Sequence, residues 1–285
     1  MTKSFVDASS ALFVRTGRES CEKFLGKFLD IRIRPFVLRV TGGCGLMSPE
    51  DAIGLQNVRN ALTGGPRGNK SLPKFTGFCL FGGTRMVNRY KPKIIIPGIT
   101  EVVPPINKLC PGAKTLGVIA KVGDMRHSRH GIVVSDDCDK KKPESEHYVT
   151  IVHPTQDSTL LVQPSADRYA SWDDEANECI DICDYLRKGH WQGLMLVYNG
   201  GGVVEKEILK WGALGKEDPF WQVLLVDGSG RKADLYARDE QFRKEHPTIN
   251  VCGNTEEEIR AALLELGALV YEPSAIFKGG KRNTR

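Results

Sequence analysis

The chain has 285 residues, 40% of them hydrophobic and 26% charged, which is ordinary for a globular protein long enough to bury a real core. A net charge of +5, partly carried by the tail 278–285, is too mild to point to nucleic acid as a partner, and that tail reads as a solvated end. No apolar run approaches the roughly 18–20 residues that a bilayer crossing needs, and no signal-like stretch follows Met1, so a cytoplasmic protein with no membrane contact is expected.

Eight cysteines are scattered without a Cys-x-x-Cys pair, which reads as reduced thiols with neither a disulfide framework nor a metal site. Cys179 and Cys183, one helical turn apart with apolar neighbours, read as core rather than as metal ligands.

In chain order, residues 1–33 read as an N-terminal extension, a mixed helical segment with no chemistry to name. Phe36–Thr41 is an apolar run ending in Gly42-Gly43, the pattern of a strand buried on both faces. Ser48-Pro49-Glu50-Asp51 supplies an N-cap, a first-turn proline and a capping box for a helix carrying Ile53, Val58 and Leu62. Phe75–Phe81 runs into Gly82-Gly83, and Thr115–Ala120, Tyr148–Val152, Thr159–Val162 and Thr248–Cys252 are further strand candidates.

The stretch 121–147 is polar and aperiodic, so it reads as a surface excursion, either a lid or an ornament. Arg126, His127, Arg129 and His130 there suit a phosphate lid less well than a solvated loop. Asp136, Asp137 and Asp139 stand beside three lysines, which argues for a solvated run rather than a cation site.

A helix opens at Asp173 with the stripe Ala176, Cys179, Ile180, Cys183 and Leu186, and closes on Arg187-Lys188-Gly189. Leu194–Tyr198 leads to Asn199 and Gly200-Gly201-Gly202, then a helix over Val203–Leu214. Trp221–Val226 leads to Asp227-Gly228-Ser229-Gly230, and Thr255–Glu258 caps a helix carrying Ile259, Leu263 and Leu266. Strand, glycine turn and helix in repetition predict an α/β fold, a Rossmann-like doubly wound and mostly parallel sheet with glycine-rich loops at strand C-terminal ends. A single domain over 34–285 is expected.

Phosphates bind where backbone N–H groups converge at a helix N-terminus, and glycine lets the backbone approach them without a Cβ. One such loop is as well explained by sterics; four at strand ends favour a shared crevice. The candidate ligand-binding residues are Gly42, Gly43, Gly82, Gly83, Thr84, Arg85, Asn199, Gly200, Gly201, Gly202, Glu207, Gly228, Ser229, Gly230 and Arg231. Arg231 is the leading candidate, because a guanidinium grips phosphate oxygens in a bidentate fork; the plain alternative is a surface pair with Asp234. Glu207 suits ribose hydroxyls, or else simply complements the helix dipole.

These motifs, in this order, resemble the LSDAT branch of the SLOG superfamily, the N-terminal homology region of melastatin-type TRP channels, and more closely its stand-alone prokaryotic members. Phe36–Gly43 (FVLRVTGG) is similar to the family's first strand and its S-V-T-G-G end, and Phe75–Thr84 (FTGFCLFGGT) to W-I-x-x-G-G-T. Lys114–Ala120 (KTLGVIA) sits where the family has its third strand. His153–Val162 resembles D-P-N-H-T-H-F-x-L-V, the Asn199 loop stands at the G-G-P-G-T position, and Asp227–Asp234 (DGSGRKAD) is close to D-G-S-G-R-A-A-D. Val203-Val204 replace the family's Gly-Thr, and Asp157–Thr159 lacks its histidines.

The resemblance implies a sensor of nucleotide-derived ligands such as ADP-ribose or an NAD derivative, with no required cofactor, in a prokaryotic signalling or defence system. A second copy or an effector protein would receive the signal. Two other readings stay open. One is an N-glycosidic phosphoribohydrolase of the Lonely Guy kind, with Glu207 as its carboxylate beside an oxocarbenium-like centre. The other is a structural partner with a vestigial pocket.

Overall fold

The computed structural model describes residues 11–16, 25–26, 29, 33–43, 49–136 and 147–271. The strands are β1 (Ala11–Thr16), β2 (Phe36–Gly42), β3 (Lys74–Phe75), β4 (Gly77–Gly82), β5 (Thr84–Asn88), β6 (Ile95–Ile96), β7 (Ala113–Ala120), β8 (Arg126–Ser128), β9 (Gly131–Ser135), β10 (Tyr148–Val152), β11 (Ser158–Gln163), β12 (Gln192–Tyr198), β13 (Trp221–Val226), β14 (Ile249–Cys252) and β15 (Leu269–Val270). The helices are α1 (Pro49–Thr63), α2 (Val103–Leu109), α3 (Trp172–Lys188), α4 (Gly202–Glu217), α5 (Arg231–Arg238), α6 (Glu240–Glu245) and α7 (Glu256–Glu265).

Eight strands form one sheet in the order β1-β11-β7-β4-β2-β12-β13-β14, and every pairing in it is parallel. Both faces are covered, as the continuous apolar runs require. Phe36, Leu38 and Val40 of β2 pack with α1, α2 and α7 on one face. Val37 of β2, Leu80 of β4 and Val223 of β13 pack with α3, α4 and α5 on the other. The fold is therefore Rossmann-like and doubly wound.

From β2 the chain winds outward through β4, β7 and β11, and α3 then returns it to β12 on the other side of β2. The β2–β12 boundary is thus the topological switch point, where the loops leaving the strands part and leave room for a ligand.

The structure departs from the sequence reading in two places. Residues 11–16, within the expected extension, form β1 and pair with β11 at the sheet edge, the Ala-Leu-Phe-Val-Arg-Thr run taking the ladder that β11 offers. The excursion at 121–147 is not a loose ornament where it is described: β8 and β9 join β10, β5 and β6 in a five-stranded antiparallel sheet. One face of that sheet is apolar, with Val87, Val133, Val149 and Ile151 forming a small core of their own. Ser48, Asp137, Asp139 and the tail 278–285 lie outside the described residues. Among the described residues no helix is long and apolar enough to cross a membrane, and Cys79, Cys110, Cys179 and Cys183 are buried free thiols.

Helix α3 shows how local sequence sets its bounds. The Ser171 side chain accepts from the Asp174 amide while the Asp174 carboxylate accepts from the Ser171 amide, a complete capping box. Arg187 and Lys188 in the last turn complement the opposite end of the dipole. Ser171→Ala is expected to lower stability by about 1 kcal/mol, read as a shift in the urea midpoint at unchanged slope.

Candidate functional site

At the switch point the ends of β2, β12 and β13 are drawn together by Asn199. Its backbone N–H donates to the Ser229 hydroxyl at 2.9 Å, and its side-chain amide donates to the Ser229 carbonyl at 3.0 Å and to Asp51 at 3.3 Å. The Asn199 carbonyl accepts from the Ala233 amide of α5 at 3.1 Å. A Cβ on Gly43 would stand 2.8 Å from the Asn199 side-chain oxygen, so β2 ends against the same residue. The structure thereby brings Gly43, Asn199, Gly200, Gly201, Gly230 and Arg231 to one rim.

Not every glycine amide on that rim is available to a ligand. The Gly228 and Gly230 amides both donate to the Asp234 carboxylate, at 2.9 and 2.8 Å. An acidic side chain of α5 therefore already fills the anion place that the Asp227–Gly230 turn offers. The Gly200 amide is taken by the Asn199 side chain at 2.7 Å, and Ser229 is fully buried with its hydroxyl donating to the Val226 carbonyl.

The N-terminus of α4 is different. Its N-cap is Gly201, which offers no side chain, and among the described residues no side chain caps the helix. A 16-residue helix with bare first-turn amides attracts anions through its orphan donors and its dipole. Glu205, the acidic residue of that turn, is neutralised by Lys232 at 2.8 Å and also accepts from the Tyr236 hydroxyl; these contacts hold its carboxyl below the usual range.

Arg231 overhangs this helix end. A Cβ on Gly201 would stand 2.8 Å from its Nη2, so the guanidinium lies directly against the helix end. Arg231 is exposed and makes no hydrogen bond or ion pair among the described residues. The alternative, a surface pair with Asp234, does not form; Asp234 pairs with Arg238 at 3.0 Å. Asn199 at φ 63° and Arg231 at φ 50° both occupy the left-handed region. Such strain in non-glycine residues costs of order 1 kcal/mol each and gathers at functional sites.

The remaining sequence candidates have other tasks. Gly42 lets β2 pass the Tyr198 carbonyl, and Gly83 abuts the backbone of Gly117. Thr84 is buried at the start of β5, and Arg85 is held by Glu101 through two 2.7 Å hydrogen bonds. Glu101 in turn lies 3.6 Å from the fully buried His153 ring. Gly202 begins α4 beside the rim.

Glu207 points into the molecule. Its carboxylate accepts from the Arg39 guanidinium at 2.6 and 3.0 Å and from the Thr41 hydroxyl, and it is 1% exposed. A cavity of about 170 Å³ between α3 and α4, edged by Lys206 and Lys210, reaches it from outside. Glu175 of α3 completes this buried cluster. Burial pushes its carboxyl up to about 7, with Arg39 opposing the shift and Glu207 adding to it. A Cβ on Gly82 would lie 2.8 Å from the Glu175 carboxylate, so β4 ends against this cluster. Sequence reading passed over Arg39 because it sits inside an otherwise apolar strand; a lone arginine in a doubly buried run was the available signal.

The fold and rim thus define a Rossmann-like α/β protein with an anion-attracting helix end at the switch point. No family model matches the chain and no curated protein matches it. Among solved structures it is similar to the molybdenum cofactor binding protein from the phototrophic bacterium Rippkaea orientalis, at 11% identity and a TM-score of 0.43, over 82% of this chain and 97% of that one. Nothing about ligand or activity follows from a likeness at that level.

Proposed function

We propose that the chain is a sensor domain for a phosphate-bearing nucleotide derivative of the ADP-ribose or NAD kind, passing its signal to a second copy or an effector protein. One observation carries the reading: the N-terminus of α4 and the Arg231 guanidinium, both without a side-chain partner among the described residues, meet at the switch point of a doubly wound sheet. The sequence resemblance to the LSDAT branch supports a nucleotide rather than a bare anion. The phosphate sits on the α4 amides with Arg231 across it.

Sensing is favoured over N-glycosidic cleavage because Glu207, the carboxylate that cleavage would use, is committed to Arg39 and Thr41. Thermal unfolding with ADP-ribose, NAD, AMP and cyclic nucleotides tests the proposal, since a ligand of the native state raises the melting temperature by mass action. At least one is expected to do so, and Arg231→Ala is expected to weaken it roughly tenfold, the worth of a charge-assisted hydrogen bond. No shift with any of them, or a shift untouched by Arg231→Ala, removes the proposal. Chromatography of the same mixtures should show no free adenine or nicotinamide.

A further inference from the structure

The antiparallel sheet carries a cleft of about 240 Å³ that the rim does not use. Arg89, Tyr90, Arg126, Arg129, His130 and Asp136 stand around it. Asp136 binds two guanidinium groups at once: one oxygen accepts from Arg89 and the other from Arg126 at 2.6 Å. Arg129 is fixed by donating to the Arg89 carbonyl at 3.1 Å and toward the His130 ring at 3.4 Å. Three guanidinium groups therefore face one carboxylate, leaving two positive charges unmatched among the described residues of the cleft.

The imidazole supplies a second, independent sign. Nε2 of His130 accepts from the Arg129 guanidinium, so in the neutral ring the proton sits on Nδ1. That Nδ1 is buried with no partner among the described residues. A buried donor without an acceptor, beside clustered arginines, is a place for an oxyanion. The cleft is smaller than the roughly 300–1,000 Å³ typical of whole-ligand pockets, which fits a phosphoryl or pyrophosphoryl group rather than a dinucleotide.

We propose that this cleft is a second site, on the antiparallel sheet, for the phosphoryl group of a small phosphate-bearing ligand, held by Arg89, Arg126, Arg129 and the His130 Nδ1–H. The ligand bridges guanidinium groups as Asp136 does from the other side. This site shares no residue with the rim and does not depend on the rim's function.

Calorimetric titration of the full chain with inorganic pyrophosphate tests it, run in an Arg231→Ala background so that the rim is weakened. Saturable binding is expected there. Arg129→Gln should weaken it roughly tenfold, having removed a charge-assisted donor. Asp136→Asn should tighten it, because the internal carboxylate that competes for Arg89 and Arg126 is neutralised. A merely structural cluster would not give these opposite signs. Arg129 is exposed, and its loss leaves the Arg89–Asp136–Arg126 contacts in place, so that variant tests the site even if Asp136→Asn fails to fold. The proposal is overturned if no binding is seen in the Arg231→Ala chain or if Arg129→Gln leaves the affinity unchanged. It is also overturned if a single-stranded oligonucleotide binds far more tightly than pyrophosphate through the same arginine, which would make the face a nucleic-acid surface.

Discussion

Glu207→Ala is expected to cost about 3–5 kcal/mol of folding stability, the largest loss expected of any single change to the candidate site. Its carboxylate is what keeps Arg39 in the core. Arg39 is 3% exposed and Glu207 1%, and one guanidinium nitrogen, Nη1, already has no partner among the described residues. Burial alone would lower the pKa of Arg39, yet the surrounding acidic groups, Glu207 and Glu175 among them, raise it overall, so the arginine stays charged. Removing Glu207 takes away the hydrogen-bonded partner of a buried charge and leaves Glu175, whose carboxyl burial holds up at about 7, as the remaining carboxylate of the cluster. Glu207→Gln should cost less, since an amide oxygen still accepts from Arg39 and Thr41. The double variant Arg39→Leu/Glu207→Leu should recover most of the loss, because a buried ion pair replaced by apolar groups is often near neutral. Urea unfolding of the four proteins decides it. A Glu207→Ala midpoint within experimental scatter of the wild type would mean that the pair is solvated and the cluster is not a core element.

How far the sequence reaches is clearest at these same residues. The glycine pairs after apolar runs marked the ends of β2, β4, β12 and β13, because a strand buried on both faces must be apolar and its exit must be free of Cβ atoms. That Asn199, Gly201 and Arg231 meet followed from the doubly wound order, since all parallel strands end on one edge. The hydrogen-bond accounting was not legible. Asp234 capping both Gly228 and Gly230 depends on a helical turn folding back on its own N-terminus, and DGSGRKAD reads equally well as an open cradle. Glu207 lay at a plausible spacing for a ligand; only its hydrogen bonds to Arg39 and Thr41 of β2 show that it faces the sheet. The antiparallel sheet escaped notice because its pairing is non-local, Arg85 opposite Ile151 and Met86 opposite Thr150.

Glu175 should make the protein less stable as pH rises from about 4.5 to 7, by about 3 kcal/mol in all. The residue as a whole is partly exposed, but its Oε2 is shielded and has no partner among the described residues. Desolvation therefore dominates and lifts the folded-state carboxyl to about 7, while Arg39 and the Ala120 amide only moderate the shift. The sign follows from proton counting. Between the unfolded value near 4.5 and the folded value near 7 the native state holds the proton and the unfolded state has lost it, so stability falls with each increment of pH. Below the lower value both states are protonated and no penalty exists; above the upper value the penalty is complete and constant. Glu175→Gln mimics the protonated form. It is expected to match the wild type near pH 4.5 and to exceed it above pH 7 by about the amount the wild type loses. Melting temperatures of both proteins across that range provide the check, with the difference between the two curves isolating this group from every other titration. Two parallel curves would show that Glu175 is already ionised and satisfied in the folded protein, and that the space between Gly82, Arg39 and α3 is wet rather than sealed.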